Sequence, residues 1–184
     1  IADANRAIAV GKHGTIAISQ DGGQTWTDVQ TDIWDDIRGV YFASDKEGWA
    51  VGERGLIVHT MDGGQSWKPQ TSGSAFPLNS VYFVTPKKGW VVGELGTVLH
   101  TDDSGQSWVP QTQEEWQMFK GVFFLDEKEG WVVGWPGLVM HTTNGGLTWT
   151  KQDTKTYNEL YAVHFIDNQV GWVVGQFGEV LHTK

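Results

Sequence analysis

The stretch Gly89-Trp-Val-Val-Gly-Glu-Leu-Gly-Thr-Val-Leu-His-Thr-Asp-Asp-Ser-Gly-Gln-Ser-Trp108 holds two short apolar runs, a break at Gly93-Glu-Leu-Gly96, and a polar turn closed by tryptophan. Runs this short, bounded by glycine and aspartate, read as strands joined by hairpins rather than as helix. Aligned on itself, the chain repeats the pattern every 41 residues: Trp26, Trp67, Trp108 and Trp149 form one column, and Trp49, Trp90, Trp131 and Trp172 another, with Ile8 one interval earlier. Glycines keep the same spacing at 11/52/93/134/175, 14/55/96/137/178, 48/89/130/171, 23/64/105/146 and 22/63/145. Of the 11 tryptophans, only Trp34, Trp116 and Trp135 stand outside the framework, so most of the aromatic surplus belongs to the fold.

Working outward from the quoted stretch, residues 80–84 (SVYFV) precede it and residues 106–111 (QSWVPQ) close it. Together with 89–93 and 96–101 they make four strands per unit, here lettered A to D. Four-stranded antiparallel units recurring at about 40–45 residues are β-propeller blades, each needing neighbours to cover its faces. The fold class expected is therefore all-β: one β-propeller domain over residues 1–184, with columns at 7–47, 48–88, 89–129, 130–170 and 171–184. Ile1 aligns with Phe42, the last residue of an A strand, so five blades are expected with the terminal ones incomplete. The alternative is a segment of a larger ring, or a ring closed by a second chain, and exposed strands at such ends favour self-association.

Composition narrows the function. The 22 acidic residues against 13 basic, a net charge of −9, provide no field for phosphate backbones, so no nucleic-acid partner is expected. The absence of cysteine removes disulfides and thiol chemistry. No apolar run reaches the ~18 residues of a membrane span, and Ile1-Ala-Asp-Ala-Asn-Arg6 does not read as a signal peptide. His59, His100, His141 and His182 recur once per blade and are thus spread around the ring. A zinc ion needs its ligands within ~2.0–2.1 Å, so these histidines read as structural, and no metal or other cofactor is expected.

Between strands C and D stand Ser19-Gln-Asp-Gly-Gly-Gln-Thr-Trp26, Thr60-Met-Asp-Gly-Gly-Gln-Ser-Trp67, Thr101-Asp-Asp-Ser-Gly-Gln-Ser-Trp108 and Thr142-Thr-Asn-Gly-Gly-Leu-Thr-Trp149. An aspartate here accepts hydrogen bonds from its own turn, glycine permits positive φ, and the tryptophan anchors the hairpin. These are Asp-boxes, in which Asp21, Asp62, Asp103 and Asn144, with Trp26, Trp67, Trp108 and Trp149, read as structural; Ser104 and Asn144 are departures expected to weaken their turns. Combined with Gly-Trp-x-Val-Gly and a Val-(Tyr/Phe)-Phe strand, the repeat resembles that of the photosystem II stability/assembly factor family. The resemblance implies a non-enzymatic propeller that holds a newly made membrane-protein subunit outside the cytoplasm, in the periplasm or thylakoid lumen, and binds through an arginine-rich patch. This chain has only Arg6, Arg38 and Arg54, with Arg6 on the Asp-turn side and the other two towards the opposite rim.

That opposite rim carries the B–C dipeptides Lys12-His13, Glu53-Arg54, Glu94-Leu95, Trp135-Pro136 and Gln176-Phe177, and the D–A segments around Trp34, Ala75-Phe76, Trp116 and Tyr157. These positions vary between copies while the framework is constant, and loops on a rigid scaffold are where binding residues concentrate. Trp135 and Phe177 read as contact anchors, with Arg54, Lys12 and His13 beside them. Trp34, Trp116 and Tyr157 share one column and read first as filler between blades, with a binding role as the alternative. The partner expected on this rim is a protein or a glycan. Because all five dipeptides differ, one composite site is favoured over five equal sugar sites. An amplified propeller without an evolved ligand is a further reading. A glycosidase would need two carboxylates across a cleft. Glu53 and Glu94 alone are adjacent in the B–C loops, and they read as rim charges, so no enzyme is expected.

Overall fold

The computed structural model describes residues 5–111 and 116–183. Ile1, assigned by alignment to the end of an A strand, lies outside them, as does Lys184. The described strands form five antiparallel sheets. The first holds β1 (Ala7–Val10), β2 (Ile16–Ser19) and β3 (Thr27–Asp28), and the second β4 (Ile37–Phe42), β5 (Gly48–Gly52), β6 (Ile57–Thr60) and β7 (Lys68–Gln70). The third holds β8 (Leu78–Phe83), β9 (Gly89–Gly93), β10 (Val98–Thr101) and β11 (Val109–Pro110). The fourth holds β12 (Met118–Phe124), β13 (Gly130–Trp135), β14 (Leu138–Thr142) and β15 (Thr150–Gln152), and the fifth β16 (Leu160–Phe165), β17 (Gly171–Gly175) and β18 (Val180–Thr183). Strand order follows the chain within every sheet, the meander of propeller blades, and the first and last sheets have three strands each. Strand A begins earlier than expected, at Leu78, and carries a bulge between Leu78 and Ser80. Strand D is shorter, because Gln106 to Trp108 belong to the Asp turn: Ser107 N–H donates to Asp103 Oδ1 at 2.8 Å instead of to a strand.

One contact joins the sheets. Trp49 stacks on Phe83 with ring centroids 3.6 Å apart, Trp90 on Phe124 at 3.6 Å, and Trp131 on Phe165 at 3.7 Å, each across a sheet boundary. The glycine before each tryptophan makes room for it. Gly89 pairs with Phe83 across β8 and β9, and a Cβ on Gly89 would lie 2.5 Å from the phenyl ring; on Gly130 it would lie 2.4 Å from Phe124. Trp49 Nε1 donates to Ser104 O at 3.2 Å and Trp90 Nε1 to Gly145 O at 2.9 Å, so these two buried indoles are also tied to the Asp turn of the next sheet. The imidazole of the same sheet covers the other side of the indole, as in His141 on Trp131 at 4.7 Å and His59 on Trp49 at 4.8 Å. His59 Nε2 lies 3.2 Å from Glu47 Oε1, and His141 Nε2 3.0 Å from Glu129 Oε1, which accounts for the recurring histidines as packing residues.

The Asp turns are built alike. Thr25 N–H and Ser19 Oγ donate to Asp21 Oδ1 at 2.9 and 2.8 Å, and Thr25 Oγ1 donates to Oδ2 at 2.6 Å. Ser19 Oγ in turn accepts from Gly23 N–H at 2.8 Å. The equivalents Thr60, Thr101 and Thr142 are buried and do the same. Sequence reasoning passed over this hydroxyl, although its recurrence two residues before the carboxylate was visible. Asn144 preserves the turn with one bond reversed: its Nδ2 donates to Thr148 Oγ1 at 2.8 Å, while Oδ1 still accepts from Thr148 N–H at 2.9 Å. Ser104 occupies a glycine position at φ 61° and donates its hydroxyl to Pro86 O at 2.9 Å. The Thr25 hydroxyl, then the Thr25 and Ser19 contacts, lower the Asp21 pKa to about 2. At Asp62 burial opposes ionisation, but the bonds from Ser66 and Thr60 outweigh it and the pKa is again about 2.

Two outcomes follow from this frame. Trp90→Ala removes a stacked, buried indole and is expected to cost about 3–5 kcal/mol, read from the shift of the denaturation midpoint; an unshifted midpoint contradicts the placement. Because Asp21 and Asp62 titrate in the folded chain at about 2 against an ordinary 3.8, their contribution is complete above pH 3.8 and is lost as pH falls towards 2. Asp21→Asn with Asp62→Asn should therefore flatten the acid limb of a stability-versus-pH curve, whereas an unchanged limb would show that these carboxylates do not drive it.

Candidate functional site

Each D–A segment threads between the B–C turn of its own sheet and that of the next. Glu53 N–H donates to Asp36 O at 3.0 Å, Glu94 N–H to Pro77 O at 3.0 Å, and Gln176 N–H to Glu159 O at 2.8 Å. On the other side the contact is closer still. A Cβ on Gly14 would lie 1.9 Å from Ile33 O, on Gly55 1.9 Å from Ser74 O, and on Gly137 1.9 Å from Thr156 O, so these positions accept only glycine. The residue before the glycine takes a left-handed conformation in His13, Arg54, Leu95 and Phe177, with φ between 51° and 57°. Backbone contacts thus clamp the B–C turns to the D–A segments, reinforced by side chains such as Thr154, whose Oγ1 donates to Gly137 O at 2.7 Å.

Trp34 is 82 % exposed, Trp116 81 %, Tyr157 86 %, Phe177 86 % and Trp135 47 %. The expectation that Trp34, Trp116 and Tyr157 plug gaps between blades is corrected: the D–A backbone already fills that space, and their rings face solvent. Phe76 and Leu95, also on this rim, add 46 % and 43 % exposed apolar side chains. Between the first two sheets a groove of about 580 Å³ opens beside Trp34, walled by Ile33, Asp35, Arg54, Trp67 and Pro69. Lys12 and His13 are exposed on the neighbouring turn, where His13 N–H donates to Asp36 Oδ1 at 2.8 Å.

The arginines do not form a patch. Arg38 donates to Asn79 Oδ1 at 2.6 Å and Glu94 Oε1 at 2.9 Å, and also pairs with Glu53. Arg54 pairs with Asp35. Arg6 lies on the other rim, over the Phe42 ring at 5.6 Å and bonded to Asp45 O. Glu53 and Glu94 are thus counterions of one guanidinium. Lys120 sits two intervals further on from Arg38, 3.2 Å from Glu159.

A feature that sequence reasoning missed runs along the inner strands, where the A strands of neighbouring sheets pack directly on one another. Tyr41, Tyr82, Phe123 and His164, one column, form a file with centroid spacings of 4.9, 5.1 and 4.8 Å. Burial pushes the Tyr82 pKa up to about 12, with Tyr41 beside it adding to the rise. Among the described residues no group of histidine, aspartate and glutamate is arranged to hold a metal ion.

Sheet order, Asp turns and an aromatic rim of non-repeating loops define the class as an Asp-box β-propeller. The chain belongs to the family of the photosynthesis system II assembly factor YCF48, whose sequence profile matches residues 1–77 and again 70–156. Among solved structures it resembles YCF48 bound to a D1 peptide, at 19 % identity and a TM-score of 0.59, over 100 % of this chain and 89 % of that one. YCF48 from Cyanidioschyzon merolae is also 19 % identical, with a TM-score of 0.77 over 97 % of this chain and 66 % of that one. A GH74 enzyme from Niastella koreensis is 15 % identical, with a TM-score of 0.77 over 93 % of this chain and 32 % of that one. No curated protein matches the sequence.

If Trp135, 47 % exposed, and Phe177, 86 % exposed, serve as contact anchors, Trp135→Ala with Phe177→Ala is expected to leave the melting temperature within about 0.5 kcal/mol equivalent of the parent. A loss of several degrees would place them in the fold rather than on the binding surface.

Proposed function

We propose that the chain is a non-catalytic binding propeller whose B–C/D–A rim receives a peptide segment of a protein partner, in the manner of a factor that holds a membrane-protein subunit during assembly outside the cytoplasm. The observation that carries this reading is the set of exposed aromatic rings, Trp34, Trp116, Trp135, Tyr157 and Phe177, on loops that differ from sheet to sheet while the framework beneath is constant. Large rings held on a rigid support contribute contact area at little entropic cost, and tryptophan and tyrosine dominate the energetics of protein interfaces. Lys12, His13 and Arg54 supply polar contacts around them. Family membership and the relative bound to a D1 peptide support a peptide rather than a sugar as the occupant, as does the non-repeating chemistry of the five turns.

A catalytic reading is disfavoured by the state of its best candidates. Glu53 and Glu94 are both paired with the single guanidinium of Arg38 instead of facing each other across an open cleft. No helix among the described residues is long and apolar enough to cross a membrane.

Titration of the chain with a synthetic D1 peptide, followed by tryptophan fluorescence and calorimetry, tests the proposal. Trp34, Trp116, Trp135 and Phe177 changed together to alanine should weaken binding at least tenfold, about 1.4 kcal/mol, with an unchanged circular dichroism spectrum. Binding of equal strength in that variant would move the site off this rim. Binding of a glycan array but of no peptide would overturn the choice of partner.

A further inference from the structure

Asn144-Gly145 is the only Asn-Gly pair in the sequence, and it stands at the repeat position held by Asp21-Gly22 and Asp62-Gly63 in two of the other Asp turns. A glycine nitrogen has no neighbouring Cβ to hinder its approach to the side-chain amide of the residue before it. Asn79, Asn158 and Asn168 precede Ser80, Glu159 and Gln169, whose side chains crowd that approach. The fold itself calls for the glycine: Gly145 sits at φ 72°, and a Cβ on it would lie 2.9 Å from Glu127 O. The closed turn holds both reacting groups in other contacts. Asn144 Oδ1 accepts from Thr142 Oγ1 at 3.0 Å and from Thr148 N–H at 2.9 Å, while Nδ2 donates to Thr148 Oγ1 at 2.8 Å. The Gly145 N–H donates to Lys128 O at 2.8 Å, as Gly63 does to Lys46 O at 2.8 Å and Ser104 to Lys87 O at 3.1 Å. An attack of this nitrogen on the amide carbon has to break both sets of bonds first.

We infer that Asn144 is a deamidation site gated by opening of the fourth Asp turn, and that its aspartate product closes the turn in the way of the other three. With the turn open, the Gly145 nitrogen gives its proton to hydroxide and bonds to Asn144 Cγ; the bond from Cγ to Nδ2 breaks, ammonia leaves, and a five-membered cyclic imide remains. Water then opens the imide. Attack at Cγ yields aspartate, and attack at the main-chain carbonyl yields isoaspartate; the sum is amide plus water to carboxylate plus ammonium. Aspartate at 144 can accept from Thr142 Oγ1, Thr148 N–H and Thr148 Oγ1, the set that Asp62 takes from Thr60 and Ser66. Isoaspartate lengthens the main chain by one carbon and cannot present the Gly145 and Gly146 N–H groups to Lys128 O and Thr142 Oγ1 together. Opening of a single surface turn takes less free energy than unfolding the chain, so the folded protein converts slowly. The inference is independent of what the opposite rim binds.

Incubating the folded chain, and the same chain in urea, at mildly alkaline pH tests it, with the peptide that carries residues 142–150 followed by mass spectrometry. Each conversion adds about 1 Da and one negative charge. The unfolded chain should convert at Asn144 ahead of its other asparagines, and the folded chain should be slower by about tenfold or more. Thr142→Val removes the hydroxyl that holds Asn144 Oδ1 and Gly146 N–H, so it should speed conversion in the folded chain and leave the rate in urea unchanged. If that buried substitution prevents folding, Thr148→Ala, at an exposed position, replaces it with the same expectation. Asn144→Asp supplies the product directly and should melt at a higher temperature than the parent. Equal rates in the folded and unfolded chain overturn the gating, and an unfolded chain that keeps its amide at 144 overturns the site. An Asn144→Asp variant that melts no higher than the parent overturns the role given to the product.

Discussion

The indole of one sheet laid flat on the phenyl ring of the next is the interaction on which the other features of this fold depend. It fixes the spacing between sheets, and because the tryptophan and the phenylalanine sit at one position per repeat, it transmits the same geometry from sheet to sheet. Burying an aromatic pair of this size contributes through area and through the stacked geometry together. The glycine before each tryptophan is a consequence of that stack, for the phenyl ring lies where its Cβ would be. The indole N–H then reaches the carbonyl of the following Asp turn, so the rigidity of the turn and the packing of the sheets are one structure.

Much of this frame is legible in the sequence because it is periodic. Tryptophan at 49, 90, 131 and 172 and glycine immediately before each announce both a repeat and a close approach. The role of the hydroxyls at Ser19, Thr60, Thr101 and Thr142 was equally periodic but invisible as chemistry, since a threonine beside a histidine in a strand has several uses. Trp34, Trp116 and Tyr157 mislead for the opposite reason. A column of aromatics in a repeat protein suggests core, yet here the space between sheets is taken by backbone, as the carbonyl of Ile33 above Gly14 shows.

What periodicity cannot convey is contact between positions that change from copy to copy. Arg38 bridges Glu53 in its own sheet and Glu94 in the next, and neither spacing belongs to the repeat. The file of Tyr41, Tyr82, Phe123 and His164 is one column, but its chemistry drifts from phenol to phenyl to imidazole and only the geometry reveals it as continuous. Both are products of curvature, which brings the A strands of neighbouring sheets together at the axis while the D strands diverge.

On the function proposed above, curvature and backbone clamping together separate recognition from stability. The B–C turns are held by main-chain bonds and by glycines that tolerate no Cβ, so the exposed side chains at Lys12, Leu95 and Phe177 are not needed to hold their own loops in place. They are free to differ, and they do. Arg38 and Arg54 are matched by carboxylates of the rim itself, Glu53, Glu94 and Asp35, beside the projecting rings. A partner meeting this surface gains from covering apolar area and gains little from bringing a compensating charge. Affinity on such a surface depends weakly on salt, which separates it physically from recognition through an open cluster of arginines.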